Sequence, residues 1–224
     1  MAGISPVAEA ASPNRGRLLL EFLAFFLLAP VVVAVFLPPR WMFGVLGALT
    51  LLGIVLLAIT PGFRWGKLAS GFGRMSGPVI FWVALLAGLA GTAIMLDQAP
   101  RYFLLIRRNP ELALMIAALY PFLSALPQEL VFRPLFFERY GPILPRAAWI
   151  TVPLNAAVFS LAHLMYWSVI VASLTFLGGL VFAFSYRVRQ NFPEAVVTHS
   201  LAGVILFALG MGVFFYSGNV TRPF

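Results

Sequence analysis

This sequence predicts an all-α integral membrane protein with about seven transmembrane helices, and three observations carry that prediction. Of its 224 residues, 62% are hydrophobic and only 10% are charged, giving a mean hydropathy of +0.98. The apolar residues gather into runs of about 20, the length that crosses a hydrocarbon core. The basic residues fall mainly in the gaps between those runs, as the cytoplasmic bias of Lys and Arg requires. A soluble domain of this size would need far more polar surface. The formal charge of +8 therefore reads as a membrane feature, with the lipid bilayer as first partner. No basic segment is long enough to form a nucleic-acid patch, so no nucleic-acid partner is expected. The absence of cysteine excludes disulfides and thiolate metal sites.

The elements follow in order. Residues 1–16 are small and polar and predict a disordered N-terminal tail; residues 17–224 predict a single transmembrane domain. Arg15 and Arg17 lead into a first run of spanning length with no small-residue cleavage site, which reads as a retained helix rather than a signal peptide. The seven expected spans are roughly 18–38, 41–60, 78–96, 111–138, 147–165, 167–187 and 194–217. Pro38-Pro39-Arg40 joins the first two tightly. The fourth carries Pro121, Pro127 and Pro134 and predicts a kinked or broken helix, because proline removes a backbone donor and clashes with the preceding turn. Gly178-Gly179 predicts a close helix approach, and Glu21 a snorkelling or capping acid. No internal repeat supports an inverted-repeat transporter.

Loop charges give the orientation. With the N-terminus inside, the cytoplasmic side holds Arg15, Arg17, Arg64, Lys67, Arg74, Arg139, Arg146, Arg187 and Arg189. The other side holds Arg40, Arg101, Arg107, Arg108 and Arg222. This excess predicts N-inside and C-outside. A bacterial cytoplasmic membrane is the expected location, since no organelle retention signal stands out.

Function must be sought where costly groups lie in lipid-like sequence. A charge at the bilayer centre is disfavoured by roughly 3 kcal/mol. Yet Gln128, Glu129 and Arg133 lie in the fourth span, His163 ends the fifth and His199 lies in the seventh. Glu129 and Arg133 are four apart on one helical face, as are Phe159 and His163, and His199 and Gly203. The bland alternatives are a structural ion pair and satisfied packing histidines. Asn155, two turns from His163, is expected to bond a neighbouring helix. One acid and two imidazoles suit hydrolysis of a peptide bond by activated water. They also suit a three-ligand zinc site of Glu129, His163 and His199, although the helical HExxH signature is absent. Ion transport is a further alternative.

At these residues the chain resembles the CAAX prenyl protease and bacteriocin-processing (CPBP, Abi) family of intramembrane endopeptidases, over about residues 112–217. The motifs are Gln128-Glu129-Leu130-Val131-Phe132-Arg133, Phe159-Ser160-Leu161-Ala162-His163 and His199-Ser200-Leu201-Ala202-Gly203. The resemblance implies a helical bundle, a membrane-associated peptide or protein substrate, and glutamate- and histidine-activated water without a cofactor. It departs from the family pattern at two positions. Gln128 stands where the family has its leading glutamate, and Gly203 where it has asparagine. One reading is a role exchange, with Glu129 as base and Gln128 as amide donor beside His163 and His199. The alternative is an inactive member acting as a regulatory or immunity protein. Straight-helix geometry sets His163 about 25 Å from Arg146 and His199 about 8 Å from Pro193. With N inside, these are opposite depths, at odds with a shared site.

Overall fold

The computed structural model describes residues 14–38 and 41–215. The expected tail thus lies almost wholly outside the described residues, as do Pro39, Arg40 and Arg222. Every regular element among the described residues is helical. In chain order they are α1 (Arg15–Phe36), α2 (Met42–Ala58), α3 (Gly77–Met95), α4 (Pro110–Arg139), α5 (Ala148–Leu161), α6 (Val169–Arg187) and α7 (Phe192–Leu209). Six helical runs, α5 counted with its continuation to Tyr166, are long and apolar enough to cross a membrane. The shorter one is α2, at 17 residues; at 1.5 Å per residue it is about 25 Å long, under the roughly 30 Å of a hydrocarbon core.

The helices start where short polar side chains can satisfy their first N–H groups. Asn14 accepts from the Arg17 amide at 3.1 Å, Asn109 from Leu112 at 3.0 Å and Asn191 from Glu194 at 3.0 Å. Ser76 and Ser168 cap α3 and α6 in the same way.

The fourth span, expected to be kinked or broken, is continuous and carries two π-helical irregularities. It runs unbroken for 30 residues, with π-helical stretches at Pro121–Ala125 and Val131–Arg139. A wider turn dispenses with the hydrogen bond that each proline cannot make and relieves the ring clash, so the chain bends without separating. The same device appears in α1, where a π-helical stretch, Leu23–Leu28, precedes Pro30.

α5 lies along α6, and α7 packs between α3 and α6. The α5–α6 contact depends on Gly179: a Cβ there would sit 3.0 Å from the Ala156 Cα and 3.2 Å from its Cβ. An aromatic core built from Phe22, Phe26, Phe132, Phe136, Tyr140 and Phe159 ties α1 to α4 and α5.

Polar clamps gather at one end of the bundle. Glu21 neither snorkels nor caps. Its carboxylate takes three bonds from Arg139 at 2.8–3.0 Å, and Arg139 also reaches the Leu56 carbonyl and the Thr60 hydroxyl. This joins the start of α1, the end of α2 and the end of α4. Lys67 pairs with Glu138 at 3.1 Å. Buried Glu194 takes Arg189 at 2.6 Å and the Ser76 amide at 2.7 Å. Arg187 reaches the Arg146 carbonyl. These contacts bring together loop residues that the charge pattern assigns to the cytoplasmic side. The opposite end holds Arg101, and there the Phe103 amide donates to the Leu209 carbonyl.

Two predictions follow from this packing. Gly179→Leu forces its side chain against the α5 backbone and should cost about 1–3 kcal/mol or more, read as a lower midpoint of thermal or SDS denaturation. The chain has no native cysteine, so single cysteines report sidedness. Arg146→Cys should label only from the cytoplasmic face and Arg108→Cys only from the other.

Candidate functional site

The acid and the arginine of the fourth span form a fully buried ion pair. Arg133 Nε donates to Glu129 Oε2 at 2.8 Å and Nη2 to Oε1 at 3.2 Å, with both side chains at 0% exposure. Arg133 Nη1 donates to the Asn155 side-chain oxygen, and Asn155 Nδ2 donates to the Phe132 carbonyl at 2.7 Å. Asn155 therefore bonds the neighbouring helix, as expected. The guanidinium lies 5.1 Å from the centroid of the Phe159 ring and 5.8 Å from that of Phe182, so its hydrogen-bonding edge meets oxygens and its faces meet aromatic rings.

His199 completes the cluster. Its Nδ1 lies 2.9 Å from Glu129 Oε1, and its ring stacks on Phe182 at 4.7 Å with planes 10° apart. A carboxylate bonded to arginine only accepts, so the proton is on Nδ1 and Nε2 is left with its lone pair. Nε2 points at the Tyr120 hydroxyl, 3.3 Å away. His163 has the same tautomer for a parallel reason: its Nδ1 donates to the Phe159 carbonyl at 2.8 Å.

The depth conflict between the histidines resolves at Phe159. The His163 ring folds back one turn onto Phe159, 4.8 Å between centroids, and the His199 ring meets the same phenyl group at 5.6 Å. Helical side chains lean toward the N-terminus, which a count along the axis ignores.

Both histidines line one cavity of about 560 Å³. Its wall is largely apolar, and its polar lining includes Tyr120, Ser124, Gln128 and Thr175. Gln128 Nε2 donates to Ser124 Oγ at 2.9 Å, while Gln128 Oε1 is buried with no hydrogen-bond partner. Phe159 also lines the cavity; Glu129 and Arg133 stand behind its wall. Neighbouring helical residues point about 100° apart. With Gln128 on the cavity, Glu129 turns inward to Arg133 and His199. The expectation that Glu129 faces substrate as a direct base is corrected on this geometry, because both carboxylate oxygens already accept bonds in the interior.

The zinc set of Glu129, His163 and His199 does not assemble. Among the described residues no group of three or more His, Asp or Glu side chains is disposed to hold a metal. Gly203 brings no side chain, and the Tyr120 ring occupies the space a Cβ would take. Sequence reasoning passed over Tyr120 and Ser124. Their signal was the four-residue spacing of Tyr120, Ser124 and Gln128, a polar stripe on one face of an apolar helix.

The ion pair yields a stability prediction. Arg133→Ala leaves the Glu129 charge buried and should cost about 3–5 kcal/mol, measured by SDS or thermal denaturation. Replacing both partners, Glu129→Leu with Arg133→Met, should recover much of that loss, a coupling that a double-mutant cycle reads directly.

No curated protein and no solved structure matches this chain. Residues 110–215 match a family model described as type II CAAX prenyl endopeptidase Rce1-like. That region takes in α4 to α7, hence the ion pair, both histidines, Gln128 and the helices that position them. Over residues 110–215 the chain is thus similar to the Rce1-like family of type II CAAX prenyl endopeptidases, and it is an all-α integral membrane protein whose similarity supports a function of the CAAX-type intramembrane protease kind.

Proposed function

We propose that the protein hydrolyses a peptide bond in a membrane-associated protein or peptide. His199 acts as the base, and Gln128 orients the water. The observation that carries this reading is the Glu129–His199 contact at 2.9 Å. A buried carboxylate that fixes the Nδ1–H tautomer of an imidazole presents its Nε2 as a proton acceptor, the division of labour found in hydrolytic triads. Gln128 supports the reading from across the cavity. Its Oε1 is buried without a partner, and a rotation of this cavity-lining side chain would let it accept one hydrogen of a water whose other hydrogen goes to His199. An amide in this position orients water without taking its proton, as glutamine does in GTP hydrolysis.

The steps balance as follows. The water oxygen bonds to the peptide carbonyl carbon, and its proton passes to His199 Nε2. The carbonyl electrons move to oxygen. As the tetrahedral intermediate collapses, the C–N bond breaks and His199 returns the proton to the leaving amine. His163, through its own Nε2, offers an alternative to Gln128 as acceptor for the hydrogen that is not transferred. Glu129 and Arg133 stay out of the proton path and hold His199.

A second reading rests on Gln128 itself. A neutral amide lines the cavity where the family resemblance has an acid, which fits a member that binds a peptide without cutting it.

Cleavage of a quenched peptide library by purified protein in liposomes separates the two. The hydrolytic reading expects wild-type cleavage that falls about 10²–10⁴-fold in His199→Gln, the usual contribution of a positioned base, with folding intact by circular dichroism. Gln128→Ala should fall less than His199→Gln. Cleavage gained only by Gln128→Glu, with the wild type binding peptide but not cutting it, would establish the second reading.

A further inference from the structure

Beside the base stands a hydroxyl to which the scheme above assigns no part. Tyr120 comes from α4, one turn before Ser124, and lines the same cavity as Gln128, His163 and His199. Its ring meets Phe207 edge-on at 5.7 Å, and its hydroxyl lies 3.3 Å from His199 Nε2. The seat is made by Gly203. A Cβ at that position would overlap Tyr120 at Cε1, Cζ and the hydroxyl oxygen, so the tyrosine reaches the histidine only because residue 203 has no side chain. A glycine inside a helix costs about 1 kcal/mol relative to alanine; here the close approach of a hydroxyl to an imidazole accounts for it.

We infer that the Tyr120 hydroxyl is a catalytic hydrogen-bond donor, displaced from His199 when the attacking water takes its place there and turned to the developing oxyanion of the peptide. The inference rests on the hydrolytic reading above. In the resting site, the Nδ1–H tautomer of His199 leaves Nε2 as an acceptor, so the tyrosine O–H donates to it. That single lone pair serves one donor at a time, so the attacking water displaces the hydroxyl, and once Nε2 takes the water's proton it can no longer accept. The tyrosine hydrogen must then find another acceptor in the cavity. The negative charge forming on the peptide oxygen appears at the same moment, and a donor aimed at it in an apolar cavity stabilises the transition state more than the ground state. No covalent bond to Tyr120 is made or broken; its hydrogen bond changes partner.

The test uses the full chain in liposomes and measures kcat and KM for a peptide that the wild type cleaves. Tyr120→Phe keeps the ring that fills the Gly203 space and removes only the hydroxyl. It should lower kcat by about 10²–10³-fold, the usual cost of one oxyanion donor, with KM nearly unchanged and the denaturation midpoint preserved. Gly203→Ala should lower kcat as well, by displacing the ring. Tyr120→Ala combined with Gly203→Asn, which supplies an amide donor from the opposite helix, should regain part of the activity that Tyr120→Ala loses. Tyr120→Phe with undiminished kcat overturns the inference and leaves the hydrolytic reading standing. A wild type that binds peptides and cleaves none overturns both.

Discussion

The Glu129–Arg133 ion pair is the constraint on which the rest of the site depends. Two opposite charges at 0% exposure, within a helix that crosses a membrane, are tolerable only if nearly every donor and acceptor is used. That requirement reaches well beyond α4. Arg133 needs a neutral oxygen for Nη1, which Asn155 supplies from α5. Asn155 needs an acceptor for its own amide, which the Phe132 carbonyl supplies. Glu129 takes a third donor from α7, the His199 imidazole. One ion pair thereby fixes the mutual placement of three helices and the tautomer of the histidine beside the cavity. A hydrophobic pair of similar volume would pack the helices, but it would leave the imidazole without orientation.

The local shape of α4 follows from the same need. Its first half must present Tyr120, Ser124 and Gln128 to the cavity, and the next residue, Glu129, must point inward. A π-helical stretch separates Tyr120 from the turn that carries Gln128 and Glu129, and another follows them. Each inserts an extra residue per turn and shifts the phase of everything beyond it. The prolines at 121, 127 and 134 make the wider turns favourable, because a regular helix would lack a donor at each one. They read as hinges in the sequence. In the fold they set helical phase.

Much of this was legible in the residues. Apolar run lengths located the membrane helices, and α2 fell short because Met42–Ala58 is bounded by turns at both ends. The pairing of Glu129 with Arg133 followed from their spacing, and the bonding of Asn155 to a neighbouring helix from its polarity at depth. The proximity of the two histidines did not follow. Axial distance along straight helices separated them, whereas the Phe159 ring and the backward lean of His163 join them. The inward turn of Glu129 was also hidden. Adjacent residues on a helix compete for one face, and only packing decides which of Gln128 and Glu129 takes the cavity. Tyr120 shares a four-residue stripe with Ser124 and Gln128, but its contact with His199 was hidden, because it depends on the glycine opposite, in another helix.

The result is a cavity wall whose polar groups are neutral. The carboxylate and the guanidinium cancel one another behind it, and what faces the cavity is two imidazoles, an amide and the hydroxyl-bearing side chains of Thr50, Tyr120, Ser124, Tyr166 and Thr175. Within a bilayer this arrangement has a physical advantage. An ionised carboxylate on the wall would have to be desolvated each time an apolar segment entered. Neutral acceptors and donors are desolvated at far lower cost. On the proposed hydrolytic reading, charge then forms only during the reaction, on His199 and on the peptide oxygen together, as an ion pair created inside the cavity. The Glu129 carboxylate, 2.9 Å from His199, already faces the cationic half of that pair. The anionic half needs a donor on the cavity side, which the proposed scheme takes from the Tyr120 hydroxyl once the water has displaced it from His199.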